Sequence, residues 1–128
     1  MRKVNRVRAR DEFKRTYGSR ARQKFVNLRA CSACGVWGYS QNAHVLGVDG
    51  MGRKLGYKTI APLCGVRPDG EGGVYPGCHS RFDTAPADFR AKFPTYNPAK
   101  AARQTERDFR RFQTGTLSAL PGEHHSNG

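Results

Sequence analysis

The chain lacks any run approaching the roughly 18 consecutive apolar residues of a membrane-spanning helix. No apolar segment follows the N-terminal cations as a secretory leader requires, so an intracellular protein is expected. A membrane surface is a poor partner too, since the basic N-terminal segment has no strong apolar face. Acidic residues are scarce: 10 Asp and Glu stand against 23 Lys and Arg, for a net charge of +13. Apolar residues are also few, at 37% of the chain, with a mean hydropathy of −0.74. A single domain of 128 residues with so thin a core usually needs a disulfide or a metal as a staple. There are only four cysteines. In a reducing compartment these point to metal before disulfides. No internal repeat is present.

What the sequence does have is concentrated charge. Arg2, Lys3, Arg6, Arg8, Arg10, Lys14, Arg15, Arg20, Arg22, Lys24 and Arg29 all precede position 30, opposed only by Asp11 and Glu12. An excess of this kind suits a polyanion, most simply nucleic acid. A basic structural protein of a ribosome or virion is the blander reading.

Residues 1–9 read as a mobile basic segment, and 10–28 as one or two short helices broken near Gly18, with Phe13, Tyr17, Phe25 and Leu28 as apolar anchors. Strands are expected near 39–46 and 57–63. Residues 65–77 carry Gly65, Gly70, Gly72, Gly73, Gly77, Pro68 and Pro76, and read as a loop. Thr84 is placed to cap a helix with Pro86 in its first turn. Asn97-Pro98 starts another, whose Ala101, Thr105, Phe109 and Phe112 form one apolar stripe. His124 and His125 fall in a polar tail and read as solvated.

The cysteines follow the pattern C-x2-C, a long gap, then C-x13-C. The first pair, 31-CSACG-35, has the form of a knuckle in which a tight turn aims two thiolates at one point. If 65–77 is looped out, Cys64 at a strand end and Cys78 at a helix start complete a tetrahedron. Cys31, Cys34, Cys64 and Cys78 would then hold a structural zinc ion. Alternatives are a C-x-x-C redox pair, for which no βαβ pattern is present, and a Cys₃His site with His79 replacing Cys78. Trp37 and Tyr39 are expected to cover the knuckle.

His44 lies on or just past the first strand, and His79 directly follows Cys78. Asp83 is four residues beyond His79, on the same helical face. Zinc joining Cys34 to Cys78 would draw both histidines into one neighbourhood and frame a cleft for a divalent ion.

These pieces together, 31-CSACG-35, 43-AH-44, 50-GMGRK-54, 62-PLC-64 and 78-CHSRFD-83, resemble the HNH endonucleases of the ββα-metal fold, and in particular their zinc-stapled phage and prophage branch. The resemblance covers residues 30–84. It implies an α+β fold: a small, treble-clef-like ββα-metal core with structural zinc, flanked by N-terminal and C-terminal helices. The organisation would be a basic arm with helices at 1–29, the core at 30–93 with 65–77 inserted, a basic helix at 94–113 and a disordered tail at 114–128.

On the same resemblance His44 is the general base, His79 a ligand of a catalytic ion and Asp83 its second ligand. The family's middle asparagine would fall near Thr59, a possible orienting position. Ala43 stands where many members carry a further ligand. The implied activity is metal-dependent hydrolysis of DNA phosphodiester bonds, by nicking or double-strand cleavage, in the cytoplasm of a bacterial host.

Phosphodiester hydrolysis needs a nucleophile, charge relief on the phosphoryl oxygens and help for the leaving oxygen. A neutral imidazole at His44 supplies the base. Mg²⁺, Mn²⁺ or Ni²⁺ supplies the charge, with imidazole favouring the transition ions. Arg53 and Lys54, with Arg20, Arg22 and Arg81, are candidate phosphate contacts that position DNA without reading its bases. Glycines 47, 50, 52 and 56 would let the loop approach the backbone closely. The competing reading is a zinc module that binds nucleic acid without cutting it. The sequence does not say whether the chain is a monomer or a dimer.

Overall fold

A computed structural model describes residues 2–46 and 56–120. Arg53, Lys54, His124, His125 and glycines 47, 50 and 52 lie outside the described residues. The first element is α1 (Arg2–Tyr17), so the helix reaches back through the segment expected to be mobile. The physical reason is composition: Arg, Lys and Ala are strong helix formers, and Lys14 and Arg15 in the last turn complement the helix dipole. Among residues 7–15 only Phe13 is partly covered.

The break falls at Gly18, whose φ of +84° suits glycine, and α2 (Arg20–Leu28) follows. Ser19 caps it by accepting the Arg22 amide at 3.0 Å. Helical spacing puts Arg22, Phe25 and Val26 on its buried face. Arg22, expected to meet phosphate, is therefore 1% exposed. Its guanidinium lies 5.1 Å from the Tyr57 ring centre and pairs with Glu106 at 3.2 Å. It is a core cation, unavailable to nucleic acid.

The knuckle at 31–34 leads into β1 (Ser40–His44), which pairs antiparallel with β2 (Ile60–Cys64). Register sets Ser40 opposite Cys64 and His44 opposite Ile60. A 3₁₀ turn, Tyr57–Thr59, occupies the start of the expected second strand. Thr59 points its hydroxyl at the Gly56 carbonyl, 2.7 Å away, closing that turn.

Residues 65–77 are more than a loop. They hold a second small hairpin, β3 (Arg67–Pro68) and β4 (Val74–Tyr75). Asp69 accepts the amides of Glu71 and Gly73 at 2.7 and 2.9 Å and so closes its turn. At its base, Gly77 has φ +106°, and an added Cβ would lie 2.6 Å from the Cys64 carbonyl oxygen. Only glycine lets the chain return so close to Cys64, and that return delivers Cys78.

Then come α3 (Cys78–Thr84), α4 (Pro86–Lys92) and α5 (Pro98–Gln113). Thr84 ends α3 and bonds back to the Ser80 carbonyl, so it does not cap α4, which starts at Pro86 without a side-chain cap. Asn97 caps α5 as expected, accepting the Lys100 amide at 3.0 Å. The buried line of α5 is Ala102, Thr105 and Phe109, while Phe112 stays 37% exposed. The start of the expected disordered tail is docked: Leu117 and Ala119 pack with Phe25, Ile60 and Phe109.

The hairpin divides the core. Ala43, Ala61 and Leu63 join the cysteines, Tyr75 and Phe89 on one side. Ile60 joins Phe25, Val26 and Phe109 on the other. Burying each of these side chains contributes roughly 1.5–3 kcal/mol for the larger ones. The architecture is α+β, with two small antiparallel sheets among helices. No described helix is long and apolar enough to cross a membrane.

Candidate metal centre

The four cysteines converge as their spacing suggests. Their Sγ atoms all lie within 4.8 Å of one another, and those of Cys34 and Cys64 are 3.8 Å apart. Zn–S bonds of about 2.3 Å in a tetrahedron give an S–S edge of roughly 3.8 Å. The donor set therefore fits a closed site for a structural ion. Each pair is aimed by its backbone. The Cys34 amide donates to Cys31 Sγ at 3.4 Å, and the Cys78 amide to Cys64 Sγ at 3.3 Å. Gly35 donates to the Cys31 carbonyl at 2.9 Å and folds the knuckle shut.

Before metal binds, the thiols share protons unequally. A hydrogen bond from Cys78 pulls Cys31 down to about 4. The same bond, with burial, pushes Cys78 up, and burial raises Cys64. Four thiolates around one divalent ion leave roughly two negative charges. One cation meets them directly. Arg67 donates to Cys34 Sγ at 3.5 Å and stacks 4.7 Å from the Tyr75 ring centre. Lys92 and Arg81 face the same ring at 4.3 and 5.6 Å.

The Tyr75 hydroxyl in turn lies 3.2 Å from Cys78 Sγ. Burial, and then the sulfur beside it, raise Tyr75 above the usual phenol range, so it stays a donor. Neither Arg67 nor Tyr75 was legible as part of a metal site. The available signal was their place in a loop bounded by two ligands. Trp37 and Tyr39, expected over the knuckle, are 39% and 41% exposed, and Trp37 stacks on Arg29.

On α3, His79 Nε2 lies 3.3 Å from Asp83 Oδ2, as expected for neighbours one turn apart. The other ring nitrogen, Nδ1, lies 2.8 Å from Gln41 Oε1. Gln41 had no role in the sequence reading. Here it fixes His79 from β1, in the way a metal-ligating imidazole is commonly oriented through its second nitrogen.

His44 is elsewhere. Its Nε2 donates to the Thr16 carbonyl at 3.1 Å, and its ring meets Tyr17 edge-on, with centres 5.9 Å apart. Asn42, on the same face, bonds Gln23 and Asn27. Side chains alternate along a strand, so Gln41 and Ala43 face α3 while Asn42 and His44 face α1 and α2. The structure brings His79 and Asp83 together but does not bring His44 to them.

The Thr16 carbonyl is among the last of α1, whose carbonyls have no partner within the helix, and His44 supplies one. Ala43, 1% exposed, packs in the core. The Thr59 carbonyl accepts the Val45 amide at 2.9 Å, so Thr59 holds the residue after His44 through its backbone rather than its hydroxyl. Arg20 is exposed and rests over the Phe13 ring.

Comparison of the chain with protein-family models, with curated proteins and with solved structures gave no match.

Proposed function

We propose that this chain is a zinc-stapled, nucleic-acid-binding protein that hydrolyses phosphodiester bonds in DNA as an HNH-type, ββα-metal endonuclease. The observation that carries the reading is the Gln41–His79–Asp83 row. With Nδ1 against Gln41, His79 sets its Nε2 3.3 Å from an Asp83 carboxylate oxygen. Two electron-rich atoms so placed suit a shared cation, a proton or a metal ion. The spacing is close to the ~3 Å edge between adjacent ligands of an octahedral ion with bonds of about 2.1 Å. His79 and Asp83 would hold that ion, and it would offset charge on the phosphoryl and leaving oxygens. The order of elements, hairpin then helix with the sulfur cluster at their junction, supports the same reading.

In this scheme the chain's own groups do the rest. Exposed cations of α1 and α5 hold the backbone through its phosphates, largely regardless of sequence. His44 takes the proton from water, which requires its ring to leave the Thr16 carbonyl and turn past the end of β1. Movement of the last turn of α1 would release it.

That requirement favours a second reading. A histidine that caps α1, beside a buried alanine where a further ligand would be needed, suits a module that binds nucleic acid without cutting it. A supercoiled plasmid assay with Mg²⁺, Mn²⁺ or Ni²⁺ separates the two. Metal-dependent nicking by the wild type, reduced at least about 100-fold in His44→Ala with zinc content unchanged, is expected for general-base catalysis. Binding without scission in all three metals selects the module. Cutting by His44→Ala at the wild-type rate removes His44 from the chemistry.

A further inference from the structure

Between the metal knuckle and α5 lies a cleft of about 560 Å³. Sites for small organic molecules commonly span roughly 300–1,000 Å³. Of the residues assigned above to metal or catalysis, only Cys31 reaches it. Its apolar walls include Ala30, Pro62 and Ala101, and two aromatic rings open onto it, Phe93 and Tyr96.

Both rings lean on the core residue Phe89, with centres 5.1 and 5.3 Å away. The Tyr96 hydroxyl is tied to Ser32 Oγ at 2.7 Å, which fixes that ring against the knuckle. The rings are therefore held in place before any ligand arrives.

The charges around the cleft are positive in excess. Lys92 and Lys100 line it, are exposed, and pair with no carboxylate among the described residues. Its acid, Asp108, is already bonded to Arg29 and Gln104. A ligand that complements fixed aromatic rings, apolar walls and two ammonium groups is flat, heteroaromatic and anionic.

We propose that this cleft receives one nucleotide of a single strand, its base against Phe93 and Tyr96 and its phosphate on Lys92 and Lys100. A base paired and stacked in a duplex cannot enter, so the cleft selects unpaired DNA or RNA. The proposal deepens the nucleic-acid reading and rests on it. It is independent of cleavage.

The test uses the full zinc-loaded chain with no second metal added, so that loss of cutting has no bearing on it. A short labelled oligothymidylate and a blunt duplex are titrated by fluorescence anisotropy. Lys92→Glu/Lys100→Glu is compared with Arg103→Glu/Arg107→Glu, an equal charge change at exposed α5 residues outside the cleft. Phe93→Leu keeps apolar bulk but removes a stacking face, and zinc content and Tm confirm that each variant is folded.

The lysine pair and Phe93→Leu should each weaken the single strand about tenfold, as loss of a stacked base or its phosphate contact would. The arginine pair should cost the single strand much less, and the duplex should lose no more from the lysine pair than from the arginine pair. Equal losses from both pairs, or equal losses for strand and duplex, would overturn the assignment. Displacement of the strand by free AMP as effectively as by unlabelled oligothymidylate would also overturn it, giving the cleft to a soluble nucleotide.

Discussion

Arg22 shows how far a single residue's role depends on its neighbours. Read as a cation in a basic arm, it belongs with DNA; read at helical spacing with Phe25 and Val26, it belongs inside. Its guanidinium sits between Tyr57 and Phe109, and Glu106 balances the charge. Removing one partner of a buried pair leaves the other charged and unpaired, at about 3–5 kcal/mol. Glu106 keeps 19% of its side chain exposed, which places Glu106→Ala near the lower end, about 3 kcal/mol. Thermal unfolding should show Tm lowered by roughly 10 °C for that variant, with much less loss for Arg22→Met, which replaces the charge with apolar volume. His44 teaches the same lesson in the other direction. Its type and position invite a catalytic role, but the side it faces follows from strand parity, which the motif alone does not reveal.

At the level of elements, local signals were legible where a residue type has one conformational use. Gly18 broke the first two helices, Asn97-Pro98 opened α5, and C-x-x-C-G made the knuckle. Misreadings came where tertiary context decided. The glycines of 65–77 obscured a hairpin that Asp69 organises, and Thr84 turned inward on its own helix. The charge of 1–9, which reads as a mobile basic segment, is compatible with the helix α1.

That helix exposes nearly everything it carries over residues 7–15, so this stretch adds little to the core. Deleting residues 1–10 should leave Tm and zinc content nearly unchanged. It also removes Arg2, Lys3, Arg6, Arg8 and Arg10. If they meet phosphates, the slope of log K against log salt for duplex DNA should become shallower by about 2–4, at up to about 0.9 per contact. An unchanged slope would show that α1 does not touch the backbone.

For the molecule as a whole, the sulfur cluster is the joint between the hairpin, the second hairpin and α3. The sequence made the four ligands legible because thiolate spacing is constrained by coordination geometry. The counter-charge from Arg67 depends on the path of the second hairpin and was not legible. Without an ion, Cys64 and Cys78 have raised thiol values, so at pH 7 both hold protons that a metal ion would have to displace. Cys31 is already a thiolate there, because its value is depressed to about 4.

The sign follows. Affinity for zinc should rise with pH through the neutral range and fall as acid restores the protons. Calorimetric titration in buffers of different ionisation enthalpy should register proton release. Binding with no buffer dependence would mean that the thiols were already ionised.

Zinc K-edge absorption of the purified, zinc-loaded chain tests the centre most directly. Four sulfur neighbours at about 2.3 Å, one zinc per chain, is the expected spectrum. Three sulfurs with one nitrogen would place a histidine such as His79 in the structural site and take it from the Gln41–His79–Asp83 row, contradicting the account.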